Sequence, residues 1–382
     1  MSPARLLAFE TLRKVGHGGY ASDLLASGAA ALESRDAALA SEIVFGVLRY
    51  QAQLDFLVEH YSGRGIRKLD FEVLLALRMG VYQLRFLDRI PAHAAVSESV
   101  ELVKSSGFRS AAGFANAVLR KVGREPVEWP SRAVELSHPA WLFDRWDRQF
   151  GPEVTAGIAR ANLRPPDTYI RVPEGREIPA DTAVEITDVP GCYRLIAGEA
   201  GPFRIQDIGS QSVVPLLELA PGQSFLDLCA APGNKTAQAL ESSVRAVACD
   251  FHAKRVEMLK RLPVDVVHLD ATRPLPFGRQ FERILLDAPC SGTGTLSRNP
   301  EIKWRLQPSD IQDLHQRQVL LLRNALERLA PSGILVYSTC SLEPEENDAV
   351  IRALGLQPSH FMRRIPGLQT GDGFFAAVIR SS

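Results

Sequence analysis

The chain has 382 residues, 46% of them hydrophobic and 23% charged, with 44 Lys and Arg balanced by 44 Asp and Glu. That length and apolar content mark a globular protein with a large core and room for two or three domains. A formal net charge of zero excludes a global field that would draw in a polyanion, so nucleic-acid binding must rest on local basic patches.

Residues 1–125 carry helical periodicity throughout. Leu6, Leu7, Phe9 and Leu12 make one apolar face, Ile43, Val44, Val47 and Leu48 a second, and Val73, Leu74, Leu77, Val81 and Leu84 a third. Gly and Pro cluster at the breaks, as in Gly16-His17-Gly18-Gly19 and Ile90-Pro91, which predicts a compact all-helical domain with a slight basic excess. Residues 126–205 read as a linker and mixed α/β connecting region, opened by Pro126, Pro130 and Pro139 and followed by an aromatic helical segment around Trp141, Phe143 and Trp146. Residues 206–382 read as a catalytic domain. From Phe225 onward, short β-branched runs alternate with longer helical stretches, the pattern of a parallel sheet flanked by helices. The expected strands are Phe225 to Leu228, Ala246 to Cys249, Val264 to Leu269, Arg283 to Leu286, Ile334 to Tyr337 and Phe374 to Ile379.

The amino terminus enters an amphipathic pattern directly, with no signal-like apolar run, and no stretch is long enough to span a bilayer. The five cysteines, Cys192, Cys229, Cys249, Cys290 and Cys340, are odd in number, widely spaced and never in a CxxC arrangement. That excludes a disulfide framework and a zinc site, so no metal is expected, and free thiols point to a reducing, cytoplasmic location.

The first strand of the sheet runs into Cys229-Ala230-Ala231-Pro232-Gly233-Asn234-Lys235-Thr236, which reads as strand end, tight turn and helix start. The second strand ends at Asp250, where an acid can accept both hydroxyls of a ribose, and the third at Asp270, near the place of an adenine edge. Any one of these acids could instead be a helix cap; the series favours a nucleotide-like ligand. Without GxGxxG or GxxxxGK[ST], nicotinamide cofactors and nucleoside triphosphates are poorly supported, and S-adenosylmethionine fits better.

Cys290, in Leu286-Asp287-Ala288-Pro289-Cys290, and Cys340, in Tyr337-Ser338-Thr339-Cys340-Ser341, follow the fourth and fifth strands, which can lie side by side. Paired thiols there suit attack on carbon-6 of a pyrimidine, which makes carbon-5 able to take a methyl group. Asp287 could hydrogen-bond or protonate the N3/N4 edge of the base, while Cys290 is placed for the loss of the carbon-5 proton and release of the first sulfur. Cys192, Cys229 and Cys249 read as small buried hydrophobes. Further on, Arg298 to Arg305 combines cations with Trp304, a composition suited to phosphate contact and base stacking.

These segments resemble the motifs of the RNA (cytosine-5) methyltransferase superfamily: Ala230 to Thr236 the cofactor loop, Asp287 to Gly294 the motif with the release cysteine, and Tyr337 to Ser341 the motif with the nucleophile. In the helical half, Ala4 to Leu25, Asp36 to Tyr61 and Leu69 to Val122 are similar to the NusB-like RNA-binding domain of bacterial small-subunit ribosomal RNA methyltransferases of the Sun (Fmu, RsmB-like) type. The resemblance implies an all-α NusB-like domain followed by an α/β Rossmann-like methyltransferase domain with a mostly parallel seven-stranded sheet. It implies methyl transfer from S-adenosyl-L-methionine to carbon-5 of a cytidine in small-subunit ribosomal RNA, with Cys340 bonding to carbon-6 and Cys290 assisting release. It also implies that Cys229, Ala230, Ala231, Pro232, Gly233, Asn234 and Lys235, with Asp250, Asp270 and Asp287, form the cofactor and base pocket. Asp207, in the segment joining the halves, reads as structural. The chain is expected to act as a monomer.

Asn234 departs from the family pattern, which has a second glycine there; Asn is expected to serve because it tolerates left-handed backbone. Two other readings compete. Cys290 could be the nucleophile, since Pro-Cys after the fourth strand is where DNA cytosine-5 methyltransferases place theirs. Alternatively the chain is a non-catalytic RNA-binding scaffold, in which methyl incorporation would be absent.

Overall fold

Ser2 opens the first helix: its side chain accepts the N–H of Arg5, and Pro3 stands where a missing N–H costs nothing. In this computed structural model, which describes residues 1–381, the chain divides into two units. One comprises Met1–Arg164 and Leu296–Arg305, the other Pro165–Thr295 and Leu306–Ser382. The stretch 126–205, read from sequence as one connecting region, is thus shared, residues 126–164 lying in the first unit and 165–205 in the second.

The first unit is helical. It contains α1 (Pro3–Gly16), α2 (Ala21–Ala29), α3 (Ser34–Arg49), α4 (Gln51–Ser62), α5 (Phe71–Phe86), α6 (Ala92–Ser105), α7 (Ala112–Lys121), α8 (Arg132–Glu135), α9 (Ala140–Phe150) and α10 (Pro152–Asn162). The apolar faces seen in the sequence meet in one core, where Ile43, Val44, Leu54, Leu57, Leu77 and Met79 are wholly buried. Gly46 of α3 lets α5 approach closely, because a Cβ there would fall inside the Tyr82 ring. The Tyr82 hydroxyl then donates to Glu42 at 2.6 Å.

The second unit carries two sheets. The smaller is antiparallel, in the order β2-β3-β1-β4, from β1 (Tyr169–Arg171), β2 (Ala183–Ile186), β3 (Cys192–Ala197) and β4 (Arg204–Ile205). After α11 (Ile208–Gln211), capped by Asp207 accepting the Gly209 N–H, come β5 (Ser224–Leu228), α12 (Asn234–Leu240), β6 (Arg245–Asp250), α13 (Ala253–Leu259), β7 (Asp265–His268) and β8 (Phe281–Asp287). The chain then passes through α14 (Ile302–Arg305), part of the helical unit, and returns with α15 (Pro308–Leu326), β9 (Leu329–Thr339), α16 (Asp348–Ala353), β10 (His360–Arg364) and β11 (Phe374–Arg380).

The larger sheet has seven strands, in the order β10-β11-β9-β8-β5-β6-β7. β5 to β9 pair in parallel, β11 pairs antiparallel with β9, and β10 antiparallel with β11. Every residue of β5 is buried, as a strand covered on both faces requires. The chain steps outward from β5 to β6 and β7 and comes back at β8 on the other side of β5. That reversal leaves a crevice at the carboxyl ends of β5 and β8. Six of these strands follow the sequence reading; β10 does not, because His360-Phe361-Met362-Arg363-Arg364 is a largely exposed edge strand without an apolar run. Among the described residues no helix is long and apolar enough to cross a membrane.

Residues 296–305 correct the expectation of RNA contacts there. Lys303 is wholly buried, its amine donating to the carbonyls of Arg49 at 2.9 Å and Ser137 at 2.6 Å. Burial, with Arg49 nearby, pushes its ammonium well below the ordinary lysine value. Trp304 donates its indole N–H to Leu48 at 2.6 Å, and Arg305 donates to the carbonyls of Val15, Gly18 and Gly19. These side chains are spent on closing the helical unit.

Candidate active site

β5 delivers the first part of the site. Cys229 turns the chain with φ 62°, a left-handed conformation costly for a residue with a Cβ, and Gly233 turns it again with φ 100°. Asn234 then opens α12. The tolerance of left-handed backbone expected of Asn234 is therefore not needed there; Cys229 and Gly233 take that conformation instead.

The acids end their strands as expected, yet each already holds backbone. Asp250 accepts the N–H of His252 at 2.8 Å and of Ala231 at 3.3 Å, which fastens the loop after β5 to the end of β6. Asp270 accepts the hydroxyl and the N–H of Thr272, at 2.7 and 3.0 Å, and those bonds hold its carboxyl below the usual range.

β8 and β9 lie side by side, with Asp287 opposite Ser338. Asp287 accepts from Lys235 Nζ at 2.7 Å and from Ser338 Oγ at 2.7 Å. Burial opposes the Lys235 ammonium, but the attraction of Asp287 outweighs it and leaves the group above its ordinary value; Cys340 adds to that attraction. Beyond the strand ends, the sulfurs of Cys290 and Cys340 approach to 3.4 Å. The hydrogen bond with Cys340, followed by burial, pushes the Cys290 thiol well up. Burial likewise raises the thiols of Cys249, Cys229 and Cys192, the last to about 11.

A cleft of about 360 Å³ runs along this edge. Cys229, Ala231, Asp250, Asp270, Asp287, Cys290 and Cys340 lie on its walls beside the apolar Phe251, Leu269, Pro289 and Leu321. Ala230, Pro232, Gly233 and Asn234 complete the loop without lining the cleft, and Lys235 meets it through Asp287. Acids at successive strand ends beside apolar walls suit an adenosine-bearing ligand.

The chain resembles known proteins over its whole length. Residues 214–380 match the family model described as 16S rRNA methyltransferase RsmB/F, and residues 2–124 match the NusB family. The ribosomal RNA small subunit methyltransferase B of Cronobacter sakazakii is 35% identical over 395 residues, covering 91% of each chain. Its counterpart from Klebsiella pneumoniae is 34% identical over 421 residues, covering 98% of this chain and 97% of its own. The chain belongs to the RsmB/F family.

Membership of the RsmB/F family makes the chain a methyltransferase with S-adenosyl-L-methionine as methyl donor, and the cleft described above fits that group in size and character. The crystal structure of PH0851 shares the fold over 100% of this chain and 99% of its own, with a TM-score of 0.82 at 22% identity. A methyltransferase homolog protein from Pyrococcus horikoshii, 28% identical, covers 65% of this chain and 97% of its own with a TM-score of 0.57.

Two buried acids behind the cleft wall were missed in the sequence. Asp227 is 1% exposed, accepts from Thr236 Oγ1 at 2.6 Å, and is pushed up to about 7 chiefly by burial. Glu346 is wholly buried between the two cysteine loops. The acidic run Glu343-Pro344-Glu345-Glu346-Asn347 after the Cys340 motif was the available signal, but acids after a strand ordinarily face solvent.

Proposed function

We propose that the protein transfers a methyl group to carbon-5 of a cytidine in small-subunit ribosomal RNA through a covalent bond between Cys340 and carbon-6. The observation that carries this reading is the Cys290–Cys340 pair, its sulfurs 3.4 Å apart on the wall of the cofactor cleft. Carbon-5 is a poor nucleophile while the ring is aromatic. Addition of the Cys340 thiolate to carbon-6 makes an enamine whose carbon-5 can form a new bond. The bound cofactor supplies an electrophilic methyl group at that stage. Loss of the carbon-5 proton and cleavage of the sulfur–carbon bond then restore the aromatic ring and free Cys340.

The neighbouring side chains take distinct parts. Lys235 sets a cation within electrostatic reach of Cys340. Asp287, in its ion pair with Lys235, is suited to accept from the exocyclic amine of the base. Cys290 is held as a thiol first of all by its hydrogen bond to Cys340. Once Cys340 is bonded to carbon-6, that restraint is gone and Cys290 is positioned to assist proton removal and release. Asp250 takes the ribose of the cofactor and Asp270 its adenine edge, with the loop from Cys229 to Lys235 beneath. The helical unit, matching the NusB family, grips the RNA, whose target base must be unstacked before a sulfur can reach it.

Cys340→Ala is expected to reduce methyl incorporation to background, whereas Cys290→Ala accumulates a protein–RNA adduct that survives denaturing electrophoresis. Trapping on 5-fluorocytidine RNA should place the modified peptide on Cys340. A modified peptide carrying Cys290 would exchange the two roles, and full turnover by Cys340→Ala would sink the covalent reading.

A further inference from the structure

The β8–β9 ladder ends at Asp287 opposite Ser338, before either cysteine is reached. Past that point backbone ties the two loops at two places, Ala288 N–H to the Ser338 carbonyl at 2.8 Å and Gly294 N–H to the Cys340 carbonyl at 2.9 Å, and side chains do the rest. Glu346 stands between the loops, wholly buried. Its Oε1 accepts the N–H of Ser291 at 2.8 Å and the amide of Gln318 at 3.0 Å. Its Oε2 accepts the hydroxyls of Ser291 and Ser341, the residues directly after Cys290 and Cys340. The same Gln318 amide reaches the carbonyl of Pro289, directly before Cys290, at 2.9 Å. Tyr337 of β9 donates its hydroxyl to the Glu346 carbonyl at 2.6 Å.

A carboxylate out of water is costly, and here four neutral donors converge on it. Those donors come from the Cys290 loop, the Cys340 loop and α15. We propose that Glu346 is a positioning residue that clamps the two cysteine loops in register, so that both sulfurs face one base. The clamp acts by accepting hydrogen bonds, and glutamine reproduces it: an amide oxygen serves Ser291 N–H and Gln318, and an amide NH2 serves the two hydroxyls once they rotate to accept.

The proposal rests on Cys290 and Cys340 being the reacting pair, so the test includes a measurement that needs no RNA. Diamide takes two protons and two electrons from the two thiols, becoming a hydrazine and leaving a Cys290–Cys340 disulfide, which mass spectrometry reads as a loss of two hydrogens. The bridging rate is a ruler for the register of the loops. In the full-length protein, Glu346→Gln is expected to keep kcat and bridging rate within about threefold of native. Glu346→Ala is expected to lose about 100-fold in kcat and at least about tenfold in bridging rate, with KM for RNA and cofactor affinity within about threefold, as for a group displaced by roughly 1 Å. Native bridging in Glu346→Ala, or a glutamine variant as impaired as alanine, would overturn the clamp. Should Glu346→Ala fail to fold, Ser341→Ala, which removes one arm alone, should still slow bridging several-fold, and a native rate there has the same adverse meaning. Failure of the methylation reading removes activity from every arm and leaves the bridging comparison intact.

Discussion

At the scale of single residues, the site separates acids that are alike in sequence into different electrostatic roles. Asp227, Asp250, Asp270 and Asp287 all lie near strand ends. Asp287 faces an ammonium, Asp250 and Asp270 accept backbone N–H groups, and Asp227 is sealed in with one hydroxyl. Asp227 therefore titrates near 7 rather than near 3.8. An acid raised in the folded state holds its proton after the unfolded chain has released its own. Its stabilisation is present below about pH 4 and is lost as pH rises through about 7, at up to about 1.4 kcal/mol per pH unit. Thermal melts without cofactor should show that slope between pH 5 and 7 in the native protein and a flatter one in Asp227→Asn. Equal slopes would remove Asp227 as its source. The paired cysteines of the cleft were legible because Asp-Ala-Pro-Cys and Ser-Thr-Cys-Ser are distinctive short motifs. The protonation of Asp227 was not, since nothing local distinguishes a sealed acid from a capping one.

Elements follow the same division. Helices and parallel strands were legible because their apolar periodicity is a property of the segment itself. β10 was not, since an edge strand needs no buried face. α14 and the residues before it had the composition of an RNA-binding loop, and the structure spends Lys303, Trp304 and Arg305 on helical carbonyls. Charge and aromaticity are equally suited to phosphate and to an unsatisfied helix end, so composition cannot choose between them. Lys303→Met keeps the bulk and removes the donors. It should destabilise the helical unit by roughly 2–4 kcal/mol, because two buried carbonyls lose their partner. Urea unfolding of the full chain, followed by tryptophan fluorescence, reads this; an unchanged midpoint would make the amine's hydrogen bonds inconsequential.

For the molecule as a whole, ten residues beyond the Cys290 loop complete the helical unit, so that unit is discontinuous in sequence. A fragment of residues 1–164 lacks Trp304 against Leu48 and the Lys303 bonds to Arg49 and Ser137. It is expected to unfold at lower temperature than the helical unit of the full chain, as calorimetry would show; equal melting would mean that residues 296–305 contribute nothing to it. No reading in chain order anticipates this, because periodicity and composition describe neighbours along the backbone. The sequence alone determined the two fold types, the methyl donor and the pair of thiols, all of which rest on local pattern or on short motifs. Tertiary structure alone decided that the sulfurs stand 3.4 Å apart, that burial pushes Asp227 up to about 7 and that Glu346 joins the two loops. These depend on burial and on distances between chain segments far apart in sequence, which exist only once the sheet has closed.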